Sequence, residues 1–394
     1  MQPFRRLGDS DLNAHHAERN AALDGLRGIA ILVVLLCHIS PYRLAGGNIG
    51  VDLFFVLSGF LITSILLNEY RSTGTISIKL FYLRRALRLF PAAFSVVVFV
   101  FVYTAVVTPE LLRGTLTDLL AVVTYVWNWR LVWLHSNALG GGNGMLSHLW
   151  SLSVEEQFYI IWPGLLLMVL SLRQSRPVLL ALFAIGIISP AMARLALWKS
   201  GPTVTIYFSS HLRADGLMWG AMLAWLMHVG AMPTNRFFRR LVNVLAVTAL
   251  AVFLIISKDD YLSGGMLYQW GFSLIGAMSA VMILAAIINP TSTFTKCLEW
   301  RWLQYTGKIS YGLYLWHVPI LSVHHHLYVV THAILGLTAT YIVAALSFHY
   351  WESPWLRLKS RIGYPKSASD NQHVLDDLTD LSSASAHKPA SSMG

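Results

Sequence analysis

Apolar runs of roughly 17 to 25 residues, each long enough to cross a bilayer core of about 30 Å, recur along almost the whole chain. They occupy residues 27–42, 49–69, 91–108, 150–170, 178–198, 212–230, 241–257, 268–289, 309–330 and 334–351, separated by short segments in which charge, Gly and Pro collect. A further stretch, 116–134, crowds Tyr125, Trp127, Trp129 and Trp133 at one end beside Arg130. Trp and Tyr favour a membrane–water interface. The placement of Lys and Arg decides whether this stretch crosses. If it does not, the segments on one side of the membrane hold 21 Lys and Arg and those on the other hold six. If it does, the asymmetry vanishes. Cytoplasmic loops carry the excess of positive charge, so the pattern predicts an all-α integral membrane protein with about ten transmembrane helices in one bundle and both termini cytoplasmic. The segment 116–134 then lies along, or dips into, the outer interface.

Polar tails flank the bundle. Residues 1–22 read as a polar cytoplasmic N-terminal tail, 23–360 as the membrane domain, and 361–394 as a cytoplasmic tail whose Ser, Ala and Asp content leaves it disordered. The N-terminal tail has no apolar core ahead of a small-residue site, so no cleaved signal peptide is expected. Composition agrees with the pattern: 55% of residues are hydrophobic and 12% charged, against about 25% charged in an ordinary soluble domain. The net charge of +10 is gathered at one membrane face, which points to membrane lipids and away from nucleic acid as a partner. Two cysteines, Cys37 and Cys297, cannot build a disulfide framework.

Ionisable side chains inside membrane segments are costly and by default mark function. Arg27 and His38 lie eleven residues apart in the first span. At about 100° and 1.5 Å per residue they share one helix face, about 16 Å apart along the axis. On spacing alone Arg27 also fits a positive-inside anchor and His38 an interfacial histidine. Asp52 opens the second span, close in depth to His38 if the connection is tight. There it either orients the imidazole or caps its helix. Ser58 and Gly59 are small enough to let helices approach closely.

The segment KLFYLRRALRLFP groups Arg84, Arg85 and Arg88 on one helix surface. A guanidinium pair suits a phosphate held bidentately, and a helix lying on anionic lipid uses the same cluster. On the outer side, a glycine-rich lip leads through His148 into Ser153, Glu155, Gln157 and Tyr159. These residues could bind sugar hydroxyls or support a general base, while Glu155 also fits a helix-start acid favoured by the dipole. Arg213 and Asp215 begin the sixth span near the outer face, His317 lies at depth in the ninth, and Glu352 ends the tenth at the inner face. The run His324, His325, His326 is a poor chelate, because neighbouring helix residues point in different directions, and no metal site is expected.

Seven motifs in order, LDGLRGIAILVVLLCHIS, NIGVDLFFVLSGFLI, FYLRRALRLFP, HLWSLSVEEQFY, RADGLMWG, ISYGLYLWHVPI and YWESP, are together highly specific. With them the chain resembles the acyltransferase-3 family of bacterial membrane O-acyltransferases over about residues 20–360. Its members modify lipopolysaccharide, exopolysaccharide, peptidoglycan, nodulation factors and macrolides. The family's arginine–histidine motif falls on Arg27 and His38, its RxxR motif on Arg85 and Arg88, and its acid on Glu155 rather than Glu156. The resemblance implies acyl-CoA, usually acetyl-CoA, as a co-substrate rather than a bound cofactor. It also implies a glycan, glycolipid or glycoside acceptor and a multi-pass location in the bacterial inner (cytoplasmic) membrane. Many relatives carry an appended SGNH hydrolase-like domain. None stands in this sequence, so the acceptor is expected to be handled within the bundle.

These readings combine into an expected mechanism. Arg85, Arg88 and Arg27 hold the phosphorylated end of the donor at the cytoplasmic face. Its pantetheine arm runs up the bundle to His38, which serves as general base or acyl carrier, with Asp52 or Glu155 orienting it. His148, Ser153, Tyr159, Arg213 and Asp215 are candidates for the acceptor side. The rival class is a transporter or flippase, since buried His, Arg and Asp also build proton relays. The paired broken halves common in transporters are not evident here.

Overall fold

A computed structural model describes residues 20–39, 45–139, 141–198, 204–258, 265–323 and 329–362. The N-terminal tail up to residue 19, the triple-histidine run and the C-terminal tail beyond residue 362 lie outside the described residues. Among the described residues the regular structure is entirely helical. In chain order the helices are α1 (Ala21–Ile39), α2 (Gly50–Thr73), α3 (Ile78–Val107), α4 (Leu112–Val123), α5 (Trp127–Ser136), α6 (Trp150–Leu170), α7 (Ser175–Leu197) and α8 (Val204–Phe208). There follow α9 (Ser210–His228), α10 (Arg236–Lys258), α11 (Phe272–Ile288), α12 (Thr293–Leu298), α13 (Arg301–Lys308), α14 (Ser310–Val323), α15 (Val329–Leu346) and α16 (Ser353–Arg361).

Among the described residues, eight helical segments are long and apolar enough to cross a membrane. They coincide with eight of the ten expected spans. The other two, α9 and α14, are helical but fall short for different reasons. Helix α9 has 19 residues and carries Arg213 and Asp215 in its first two turns. Helix α14 is described for only 14 residues, about 21 Å. Leu83, Phe94, Val106, Ile185, Val244 and Ile342 stand exposed on the outside of the bundle, as a lipid-facing surface requires.

Helix α3 runs further than expected. The sequence suggested a span from residue 91, but one helix of 30 residues passes through Pro91. Proline removes the donor that would reach Leu87 O, and side chains from other helices bond the carbonyls of this turn nearby. The Tyr311 hydroxyl donates to Leu89 O at 3.0 Å and the Trp351 indole N–H to Pro91 O at 2.8 Å. The basic cluster is therefore built rigidly onto a membrane helix.

The stretch 116–134 forms parts of two short helices, α4 and α5, of 12 and 10 residues. At about 18 and 15 Å neither is long enough to span. The chain reverses at Tyr125, which takes a left-handed conformation with φ 56°, a cost that a non-glycine residue bears only where its surroundings hold it. Gln157 on α6 does the holding, donating to Tyr125 O at 2.7 Å. The amides of Thr124, Tyr125 and Val126 bond back to Leu120, Val122 and Ala121, so the reversal leaves no bare donor.

Close backbone contacts set the helix register. Helices α2 and α9 form the tightest pair, with Gly59 against the Leu217 carbonyl and Gly220 against the Val56 carbonyl. Helix α1 is pinned in the same way, Gly25 against Leu298 and Gly307 against Asp24. A Cβ at any of these positions collides with backbone rather than with a movable side chain. Gly220→Leu is therefore predicted to destabilise the detergent-purified protein by about 3 kcal/mol, the upper end for overpacking. Gly164→Ala, whose added methyl meets open space, should leave thermal unfolding unchanged. Equal behaviour of the two variants would show that the α2–α9 contact is not limiting.

Candidate active site

Helix α1 runs unbroken from Ala21 to Ile39, so Arg27 and His38 keep the shared face and the separation of about 16 Å expected of eleven helical residues. At the Arg27 end, Arg27 Nη1 bonds Asp24 Oδ1 at 3.1 Å. Arg88 on α3 lies within electrostatic range of both Arg27 and Arg85. Arg85 points into the bundle, where its Nη2 meets Glu156 Oε1 at 3.4 Å and its guanidinium lies 3.8 Å from the centre of the Tyr159 ring. The two arginines of the RxxR motif thus have different surroundings: Arg85 is paired and stacked, while Arg88 lies in range of Arg27 and Arg85 and also of Asp24, Glu156 and Glu352.

Beside Arg85 the polar group continues through α6 and α2. Glu155 Oε1 accepts from Ser58 Oγ at 3.1 Å, and its Oε2 accepts from the Tyr159 hydroxyl at 3.5 Å. Ser58, read from the sequence as a packing residue, is therefore also a hydrogen-bond donor to this acid. The Tyr125 phenol hangs from the α4–α5 reversal beside Glu156 and Arg85. Burial pushes it up to about 12, with Glu156 adding to the rise, so it stays a neutral donor at ordinary pH.

At the other end three imidazoles meet. The His38 and His317 rings contact edge-on with centroids 4.8 Å apart, and His317 and His148 do the same at 4.8 Å. His38 Nδ1 lies 2.9 Å from Val34 O, so the carbonyl fixes the proton on Nδ1 and leaves Nε2 bare. His38 keeps accessible surface. Ser151 Oγ and the Tyr314 hydroxyl are 2.6 Å apart, and Tyr314 donates to His148 O at 2.6 Å, joining α14 to the turn that precedes α6.

Asp52 is engaged elsewhere. Arg213 Nη2 bonds Asp52 Oδ1 at 2.8 Å, with both side chains buried. The Arg213 guanidinium lies 3.5 Å from the centre of the Phe272 ring, with Trp150 and Tyr207 beside it. Asp215 pairs with Arg194 Nη2 at 2.7 Å and also accepts from Ser273. Arg194 further donates to Leu212 O and to Gln269 O. Two ion pairs therefore lie side by side in the core, joining α2, α7, α9 and the start of α11. Ser153 donates within its own helix, to Leu149 O at 3.4 Å.

The structure so brings Arg85, Tyr159 and Glu155 together with Arg27 and Arg88 in range of them, His148 and His38 together around His317, and Asp52, Arg213 and Asp215 into a separate charged cluster. Sequence reading left Arg194 without a role because it sits in the last turn of a span, where arginine usually anchors at the interface. Its complete burial is the sign that it does more. His317 was visible as a histidine at depth, but nothing in the sequence gave it a neighbour.

The acyltransferase domain family matches residues 20–349 of this chain. The chain belongs to that family. Among its relatives, the peptidoglycan O-acetyltransferase OatA of Listeria monocytogenes is 32% identical over 365 residues, covering 90% of this chain and 58% of the relative. A putative peptidoglycan O-acetyltransferase of Bacillus subtilis, YrhL, is 34% identical over 343 residues, 84% of this chain and 54% of the relative. The O-acetyltransferase OatA of Staphylococcus aureus is 32% identical over 344 residues, 84% of this chain and 56% of the relative. The chain thus spans little more than half the length of these relatives. No solved structure matches it.

The buried pairs yield a prediction that separates structure from catalysis. Asp52→Ala leaves Arg213 buried without its counter-charge and is predicted to lower stability by about 3–5 kcal/mol. In the Asp52→Ala/Arg213→Ala double variant part of that loss should return. Thermal unfolding in detergent reads both, and strictly additive losses would show that the two residues are uncoupled.

Proposed function

We propose that this chain is a membrane O-acyltransferase of the bacterial inner (cytoplasmic) membrane. It moves an acyl group, taken as acetyl, from cytoplasmic acyl-CoA to a hydroxyl of an extracytoplasmic glycan or glycoside. One observation supports the reading: Arg27 and His38 share one face of α1, with the Arg85–Glu156–Tyr159–Glu155 group near the first and the His317–His148 pair beside the second. The Arg27–His38 separation of about 16 Å, set by eleven helical residues, suits an extended pantetheine arm. The names of the relatives favour a cell-wall glycan as acceptor. The ten-span topology with both termini cytoplasmic follows from the positive-inside asymmetry, with α9 and α14 as the two shorter spans and the α4–α5 pair turning back to the outer face.

In this reading Arg88 and Arg27 hold the phosphates of the donor. Arg85 is held by Glu156 and Tyr159 beside its arm, and Glu155 lines the path. His38 Nε2 takes the proton of the acceptor hydroxyl as that oxygen attacks the thioester carbonyl. When the C–S bond breaks, the departing thiolate recovers the proton, so the products are an ester and a free thiol.

The reading is tested by thiol release from acetyl-CoA with purified protein in detergent, with and without cell-wall glycan fragments. His38→Ala should lower turnover by about 10²–10⁴-fold, the usual worth of a positioned base. Arg88→Ala should raise the donor KM by about tenfold, roughly one charge-assisted hydrogen bond. Unchanged turnover in His38→Ala would overturn the assignment. No release from wild type under any of these conditions would overturn acyl-CoA as donor.

A further inference from the structure

Of the three clustered imidazoles, His38 alone has a task in the proposed transfer. His317 stands between the other two and is completely buried. A backbone carbonyl can only accept, so Tyr314 O, 2.6 Å from His317 Nδ1, places the ring proton on that nitrogen. Leu315 O, 3.2 Å from His148 Nε2, fixes the opposite tautomer there. The remaining nitrogens, His317 Nε2 and His148 Nδ1, are buried and meet no donor. Buried acceptors are normally satisfied, and two such exceptions in rings that touch each other call for a reason. Among the described residues no carboxylate bonds any of the three rings, and no group of side chains is arranged to hold a metal ion.

Both bare nitrogens belong to the cluster that contains His38, the ring that becomes cationic when it takes the acceptor proton. The cation then needs a counterpart, and Asp52, the acid expected beside it, is committed to Arg213. We propose that His317 is a positioning residue for His38: its ring holds the His38 rotamer, and its bare Nε2 offers the lone pair that stabilises protonated His38 during transfer. This inference rests on the proposed acyl transfer. His317 exchanges no atom in the step. The proton moves from the acceptor hydroxyl to His38 Nε2 and from there to the leaving sulfur. His148, with its Nδ1 also bare, backs His317 from the far side.

Two substitutions separate the lone pair from the packing. His317→Phe keeps an aromatic ring of similar size and removes the nitrogen. His317→Gln keeps an acceptor oxygen within reach. The readout is thiol release from acetyl-CoA, resolved into kcat and donor KM, on protein shown to be folded by its elution profile and unfolding temperature. We expect His317→Phe to lower kcat by about 10–100-fold, less than loss of the base itself, with donor KM unchanged. His317→Gln should stay within about tenfold of wild type on the same scale. Phe and Gln variants that are equally impaired, or a Phe variant as active as wild type, would overturn the role of the lone pair. A wild type inactive with acetyl-CoA would instead bring down the transferase reading and this inference with it.

Discussion

The backbone approach of α2 to α9 is the contact on which the rest of the bundle depends. It exists because Gly59 and Gly220 present no side chain where each helix meets the other's carbonyls. Without a hydrophobic drive between helices in lipid, such close packing is what holds a membrane bundle together. The same register places Asp52 of α2 opposite Arg213 of α9, with Asp215 one helical step on, facing Arg194 of α7. Small residues and buried charges thus enforce one alignment twice. The glycine contacts allow the approach, and the ion pairs penalise any slip that would leave a charge in the core without its partner.

That scaffold accounts for the separation between the two sets of charges. In one set the charges answer each other inside the core, although Asp52 Oδ2 and Arg213 Nε and Nη1 meet no hydrogen-bond partner. The other is open: His38 shows accessible surface, and His317 and His148 keep nitrogens without donors. Polar groups left incomplete in a membrane interior are tolerated where a substrate completes them. The open set also runs along α1, which glycine contacts pin at its Arg27 end. The arginine and histidine of its motif are therefore held at a fixed spacing rather than on independent helices.

Much of this was legible in the sequence, because a bilayer imposes length and hydropathy on any helix that crosses it. Eight of the ten expected spans recur as helices long and apolar enough to cross, and the arginine–histidine spacing in α1 needed nothing beyond helical geometry. What escaped depends on contacts between distant segments. The span was expected from residue 91, but one helix runs from Ile78 through Pro91, and Tyr311 and Trp351, more than 200 residues away, bond its Leu89 and Pro91 carbonyls. Asp52 was placed beside His38 because the two are near in sequence, while its actual partner comes from α9. Arg194 and His317 acquire meaning only from neighbours on other helices. The motif LYLWHVPI names the histidine and gives no hint that it stands between two more.

The central claim is that an acyl group enters at the arginine cluster and leaves beside the histidines, on opposite sides of the membrane. Proteoliposomes test it most directly. Protein of a single known orientation is given membrane-impermeant labelled acetyl-CoA on the cytoplasmic side only, with cell-wall glycan fragments sealed on the other. Label on the enclosed glycan in wild type, and none in His38→Ala, is the predicted result. Label that appears only when donor and glycan share a compartment would contradict it.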